Sequence, residues 1–132
     1  MLQKEVVDRM AAEPGSKIYG RLSVMLQAVC EVIPLFDVPP ASFNPPPKVD
    51  SAVVRLVPRL AEHIGIDDTA LFAAIVRDAF GQRRKTLRNA LSKLCTADDL
   101  QTVDIKPETR AEQLPVGAFI RLANALSARN KA

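Results

Sequence analysis

Apolar residues near the start of the chain recur at the spacing of a helix. Leu2, Val6, Val7, Met10 and Ala11 share one face, and Pro14-Gly15 predicts where that helix stops. A second helix is predicted with Leu22, Met25, Leu26, Val29 and Cys30 on one stripe, a strongly amphipathic spacing. Cys30, the last member, reads as a packed thiol rather than a reactive one. From Glu31 the pattern changes. Glu31 to Val38 is short, apolar and interrupted by Pro34, so it predicts an edge strand or a strand with a break. Ser51 to Val57 is rich in β-branched residues and predicts a second strand.

Between these strands lie residues 39–50, which hold five of the ten prolines. Each proline fixes its own φ and biases the residue before it, so the loop is predicted to be stiff and extended. Its one aromatic residue, Phe43, would then be held in a defined place. Residues 59–66 read as a linker containing the only histidine, His63, to which no chemistry is assigned.

Beyond the linker the pattern is helical to the end. Asp67 or Asp68 can cap a helix carrying Leu71, Phe72, Ile75, Val76, Ala79 and Phe80. Gly81-Gln82 predicts a joint. A basic helix should follow, with Leu87, Ala90, Leu91 and Leu94 as its apolar face. A turn is expected at Asp98 to Leu100, and Pro107 should begin or precede a further helix. Gly117 to Ala128 should form the last helix, with Phe119, Leu122, Ala123 and Leu126 inward. Phe36, Phe72, Phe80 and Phe119 all fit apolar stripes and are expected in the core. The chain thus divides into a helix–helix–strand–loop–strand part (residues 1–58) and a small all-α part (residues 67–132). Two strands and two helices bury little surface and leave unpaired edges, so the first part looks like a piece of something larger.

Charge adds a second signal. The net charge of 132 residues is only +3, but residues 77–93 carry Arg77, Arg83, Arg84, Lys85, Arg88 and Lys93 against Asp78 alone. Such a cluster is either the footprint of a polyanion or a solvated helix face. On one continuous helix, Arg77, Arg84 and Arg88 would fall within about 40° of one another, beside the apolar stripe. The composition, 48% apolar and 25% charged, is that of a globular chain. No apolar run approaches bilayer length. Met1 to Met10 carry Lys4, Glu5, Asp8 and Arg9 where a signal peptide would be apolar. Two cysteines 65 positions apart make no disulfide framework, and one histidine nearly excludes a zinc site. A cytoplasmic setting, with no membrane and no metal, is the expectation.

Four stretches carry a resemblance. They are Met1-Leu2-Gln3-Lys4-Glu5-Val6; Pro14-Gly15-Ser16-Lys17 with Tyr19-Gly20-Arg21-Leu22-Ser23-Val24; the run from Phe43-Asn44-Pro45-Pro46-Pro47-Lys48 to Leu56; and Phe80-Gly81-Gln82-Arg83-Arg84-Lys85-Thr86-Leu87-Arg88-Asn89. In this order they resemble the bacterial small-subunit ribosomal RNA adenine dimethyltransferases, the KsgA-type enzymes. The third and fourth stretches at this separation are specific. The resemblance covers only the C-terminal half of that family. It implies an α/β remnant, the end of a doubly wound methyltransferase sheet with an antiparallel strand pair, followed by a small all-α RNA-engaging domain.

The implied activity is S-adenosylmethionine-dependent dimethylation of two adjacent adenines of small-subunit rRNA during ribosome biogenesis, by a monomer acting on the assembling small subunit. The cofactor would be bound by the missing N-terminal half, because all five glycines here are isolated and form no cradling loop. This chain alone is therefore expected to be inactive, as a truncated form, a proteolytic remnant or the product of an internal start. The resemblance places Phe43 at the base-stacking position; the alternative is that Phe43 plugs the gap between loop and sheet. Arg83, Arg84, Lys85 and Arg88 are the candidate RNA contacts, with Lys48 and Arg21. Lys48 could instead pair with Asp50, and Tyr19 and Arg21 could simply pack at a helix start. Rival functions are a large-subunit rRNA dimethylase of the antibiotic-resistance type, a non-enzymatic helical RNA- or ribosome-binding module, and a plain interaction domain.

Overall fold

The computed structural model describes residues 1–82 and 84–131. Among these the order is β1 (Leu2–Gln3), α1 (Lys4–Met10), α2 (Arg21–Gln27), β2 (Cys30–Val38), a 3-10 turn (Pro40–Ser42), β3 (Ser51–Pro58), α3 (Ala61–Ile64), α4 (Thr69–Gly81), α5 (Leu87–Ala90), α6 (Ala97–Thr102), a second 3-10 turn (Ala111–Gln113) and α7 (Val116–Lys131). The architecture is α/β, with one three-stranded antiparallel sheet in the order β1-β3-β2. No helix among the described residues is long and apolar enough to cross a membrane.

Both expected strands form, and they pair antiparallel. β2 lies at the sheet edge, and its register with β3 shifts between Pro34, opposite Val54, and Phe36, opposite Val53. Leu35 is the extra residue of a bulge, next to the proline that cannot donate to the ladder. The bulge also corrects the assignment of Phe36 to the core. Without it Phe36 would face Ala52, which is buried; with it Phe36 moves to the other face and is 61% exposed.

The helical spacing puts Leu2 on the first stripe, but Leu2 pairs with Ala52 as part of β1. The first helix, α1, starts only at Lys4, whose N–H donates to the Asp50 carbonyl at 2.9 Å. The stripe predicted for the second helix is also displaced. Leu22 and Val29 are exposed, whereas Ser23, Val24 and Ala28 are buried. α2 ends at Gln27, and Cys30 opens β2 as a half-buried thiol. The predicted linker contains the single turn α3, closed by Gly65 in the left-handed region at φ 68°. Asp68 is the expected cap of α4, accepting from the Leu71 N–H at 3.1 Å. Of the two places expected for Pro107, the structure has the second: it precedes the 3-10 turn at Ala111 and then α7.

The largest departure concerns the basic segment. α4 ends at Gly81, and α5 is one turn long. The N–H groups of Leu87 and Arg88 donate to the carbonyls of Thr109 and Pro107, at 2.8 and 3.0 Å, instead of to a preceding helical turn. The break falls at the expected Gly81-Gln82 joint, but tertiary bonding from the 107–109 loop shortens the basic helix expected after it to a single turn.

One core crosses the predicted linker. Tyr19, Val24 and Ala28 pack in the same buried cluster as Phe72, Ile75, Leu87, Leu91, Leu100, Phe119 and Leu122. Tyr19 is fully buried. Its hydroxyl donates to the Leu114 carbonyl at 2.7 Å, and its ring meets Phe80 edge-on, with centroids 5.9 Å apart. Phe80 in turn lies 5.7 Å from Phe119. Burial pushes the Tyr19 phenol well above its ordinary pKa. At the far end, Thr96 and Asp99 form a reciprocal cap for α6, and Arg129 of α7 binds the Asp99 carboxylate.

Tyr19→Phe leaves the Leu114 carbonyl without that donor and should lower stability by about 1–3 kcal/mol in urea unfolding. The Thr96 backbone N–H, then Arg129, hold the Asp99 carboxyl below its usual range. Its contribution to stability is thus present above the unfolded-state carboxylate pKa and is lost as pH falls through the lower folded value. Asp99→Asn should flatten the acid limb of the stability–pH curve and lower its neutral-to-basic side by a constant amount, with the slope there unchanged.

Candidate nucleic-acid interface

The proline loop begins with a 3-10 turn closed by the Ser42 and Phe43 N–H groups, which donate to Pro39 and Pro40 at 3.0 and 3.1 Å. It continues through bends at residues 43–45, with a cis Asn44–Pro45 peptide, and at residues 48–49, so it is not the extended loop that its prolines suggested. Phe43 is half-buried at the end of that turn, while residues 44–50 are exposed. The loop returns to the body at Asp50, whose carbonyl accepts from the Lys4 N–H. The Lys4 ammonium reaches Asp8 at 3.2 Å and Asp37 at 3.9 Å, tying α1 to the end of β2 from which the loop departs. The hydrogen bond to Asp8, then the charge of Asp37, raise the pKa of Lys4. An open cleft of about 310 Å³ beside this anchor is lined by Lys4, Glu5, Asp8, Ile18, Val49 and Asp50. Among the described residues no ion pair joins Lys48 to Asp50; Lys48 is exposed.

The expected RNA contacts are only partly brought together. Arg83 lies outside the described residues. Arg84 and Lys85 sit in the turn after α4, and Arg88 on α5; all three are exposed. The break at the expected Gly81-Gln82 joint removes Arg77 from the face that one continuous helix would have shared with Arg84 and Arg88, and Arg84 lies in the turn rather than on a helix. A cleft of about 410 Å³ forms instead where the last turn of α4 meets the turn and α5. It is lined by Arg77, Asp78, Gln82, Lys85, Asn89 and Lys93, among others, but by neither Arg84 nor Arg88. Three cations there face one carboxylate, Asp78, which accepts from Arg77 Nε at 3.1 Å. Arg21, exposed at the start of α2, lines a separate cleft with Arg9. The two clefts share no lining residue, and Lys48 lines neither. Tyr19 packs fully, which removes it from any binding surface.

Sequence reasoning missed the grouping of Arg77 and Lys93 with Gln82 and Asn89. The signal was the Gly81-Gln82 joint: a break there folds the segment back on itself and draws residues from both sides of it into one cleft.

Residues 1–128 match the model of a family described as ribosomal RNA adenine dimethylase. The chain belongs to that family. Over 124 residues, 94% of this chain, it is 68% identical to the ribosomal RNA small subunit methyltransferase A of Xanthomonas campestris pv. campestris (strain B100) and 66% identical to that of Xanthomonas oryzae pv. oryzae (strain PXO99A). It spans about half the length of these curated relatives, 47% in each case. Among solved structures, a dimethyladenosine transferase from Plasmodium falciparum superposes with a TM-score of 0.84 at 28% identity, over 97% of this chain and 56% of that one. The 23S rRNA methyltransferase ErmE shares the fold, with a TM-score of 0.60 at 20% identity, over 95% and 52% of the two chains.

The family uses S-adenosylmethionine. The residues present here do not fit it. The five glycines are isolated in the sequence and form no glycine-rich turn. The sheet described is antiparallel throughout and carries no strand–glycine turn–helix unit.

Phe43 is half-buried in a loop, whereas Phe119 is fully buried. Phe119→Ala should therefore cost about 3–5 kcal/mol in denaturant unfolding, and Phe43→Ala clearly less. An equal loss for both would make Phe43 a plug between loop and sheet.

Proposed function

We propose that the intact protein dimethylates two adjacent adenines of small-subunit rRNA with S-adenosylmethionine, acting as a cytoplasmic monomer during ribosome assembly. The observation that carries this is the 66–68% identity to small-subunit methyltransferases over 94% of the chain. Residues 1–58 would be the C-terminal part of the catalytic domain, residues 59–66 a linker, and residues 67–132 an RNA-engaging helical domain. The cofactor would be held outside the residues of this chain, which alone would transfer no methyl group.

A base in RNA must leave its stack before its exocyclic nitrogen can react. Phe43 would give that adenine a face to lie on, worth about 1–3 kcal/mol. The Lys4–Asp50 hydrogen bond and the Lys4–Asp37 ion pair would hold both ends of the loop, so that the ring keeps its position. Arg84, Lys85 and Arg88, with Arg83 next to them in sequence, would contact phosphates, as would Arg21 and Lys48; phosphate contacts position rather than specify. Relatives acting on large-subunit rRNA are the second reading. It is disfavoured by the weaker superposition on ErmE, 0.60 against 0.84.

The test is methyl transfer by the intact protein to unmethylated, assembly-stage small ribosomal subunits. Dimethylation of two adjacent adenines is expected, with none from this chain alone. Phe43→Ala in the intact protein should slow transfer by roughly 5- to 150-fold and leave cofactor binding unchanged. Transfer confined to large-subunit rRNA, or turnover by this chain alone, would contradict the proposal; an unchanged rate for Phe43→Ala would remove the stacking role.

A further inference from the structure

The cleft between α4 and α5 stands apart from the arginines singled out by sequence. Its walls come from α4, the turn after it and the α5 segment, which are separate elements because α4 ends at Gly81 and the 107–109 loop captures the start of α5. Arg77 projects from the last turns of α4, Lys85 from the turn, and Lys93 from the segment beyond α5. Arg77 and its neighbour Asp78 form a 3.1 Å pair, leaving the cleft a surplus of two positive charges. Gln82 and Asn89 add side-chain amides, which both donate and accept. Gly81 lies in the lining, and a Cβ added there would meet nothing within 4 Å, so the backbone is open to an approaching ligand.

Fixed cations suit an anion, and amides suit a hydroxyl that donates and accepts. Both occur together in the ribose-phosphate backbone of RNA, whose 2′-hydroxyl has that dual character. We propose that this cleft seats a ribose-phosphate segment of the rRNA, with Arg77, Lys85 and Lys93 on phosphate and Gln82 and Asn89 beside the sugar. The inference rests on the proposed function and adds to it a defined seat, held by Arg77 and Lys93. Arg84 and Arg88, outside the cleft lining, would meet different phosphates.

The experiment is a salt titration of binding to unmethylated small ribosomal subunits by this chain. It compares wild type, Arg77→Gln/Lys93→Gln, Lys93→Arg, Gly81→Leu and Arg84→Glu/Arg88→Glu. Removing one cation from a phosphate should flatten the slope of log affinity against log salt by about 0.7–0.9. Arg77→Gln/Lys93→Gln should thus flatten it by about twice that amount, while Lys93→Arg keeps the wild-type slope. Gly81→Leu should weaken binding with no change of charge, by filling the cleft. Thermal unfolding of every variant checks the fold, since Arg77 and Lys93 are exposed. If wild type binds and Arg84→Glu/Arg88→Glu flattens the slope but Arg77→Gln/Lys93→Gln does not, the cleft seats no RNA and the proposed function stands. Wild-type binding that is feeble at every salt concentration would remove the RNA-engaging role itself, and the cleft with it.

Discussion

The structure depends most on how Tyr19 is buried. A phenol taken wholly out of water must keep a hydrogen-bond partner, and the Leu114 carbonyl, 95 positions along the chain, supplies it. The same ring sits edge-on against Phe80, which leans on Phe119. One side chain just before α2 therefore fixes α4, the loop before α7 and α7 itself. Since α2 also packs against β2, the proline loop and the α4–α5 cleft are held in one frame although about 40 residues separate them. The proposed RNA surface and stacking loop could act together only if their separation is fixed.

Much of this was legible in the sequence, for reasons that differ by element. The strands announced themselves through β-branched runs, and Pro34 through its missing donor. Asp68 capped α4 as its position suggested, and Phe119, Leu122, Ala123 and Leu126 of α7 are buried as expected, with Ala118 and Ser127 buried beside them. Failures came where tertiary contacts outweighed local pattern. The periodicity of Leu22, Met25, Leu26 and Val29 describes a real amphipathic stripe, yet its ends are exposed because Val24 and Ala28 face the shared core. Phe36 was misassigned by one bulge, since a single inserted residue exchanges the faces of a strand.

The candidate site was legible as an inventory and not as an arrangement. The charge count found the basic segment, and the family motifs found Phe43. Neither could show that α5 would be captured by carbonyls of Thr109 and Pro107, because hydrogen bonds across about 20 residues leave no periodic trace. That capture separates Arg84 from Arg77 and groups Arg77 with Lys93. Charge along a sequence thus marked a candidate surface, while backbone hydrogen bonding from a distant loop decided which charges share a cleft.

The central claim is that the segment before the linker and the helices after it form one core anchored by Tyr19. Native-state hydrogen exchange tests this most directly, because it gives an opening free energy for each amide. The amides of Ala28, Ile75 and Leu122, on α2's end, α4 and α7, should exchange through one common opening with the same denaturant dependence. If the amide of Ala28 instead opens at far lower free energy while those of Ile75 and Leu122 stay protected, the two parts are separate units and the shared frame does not exist.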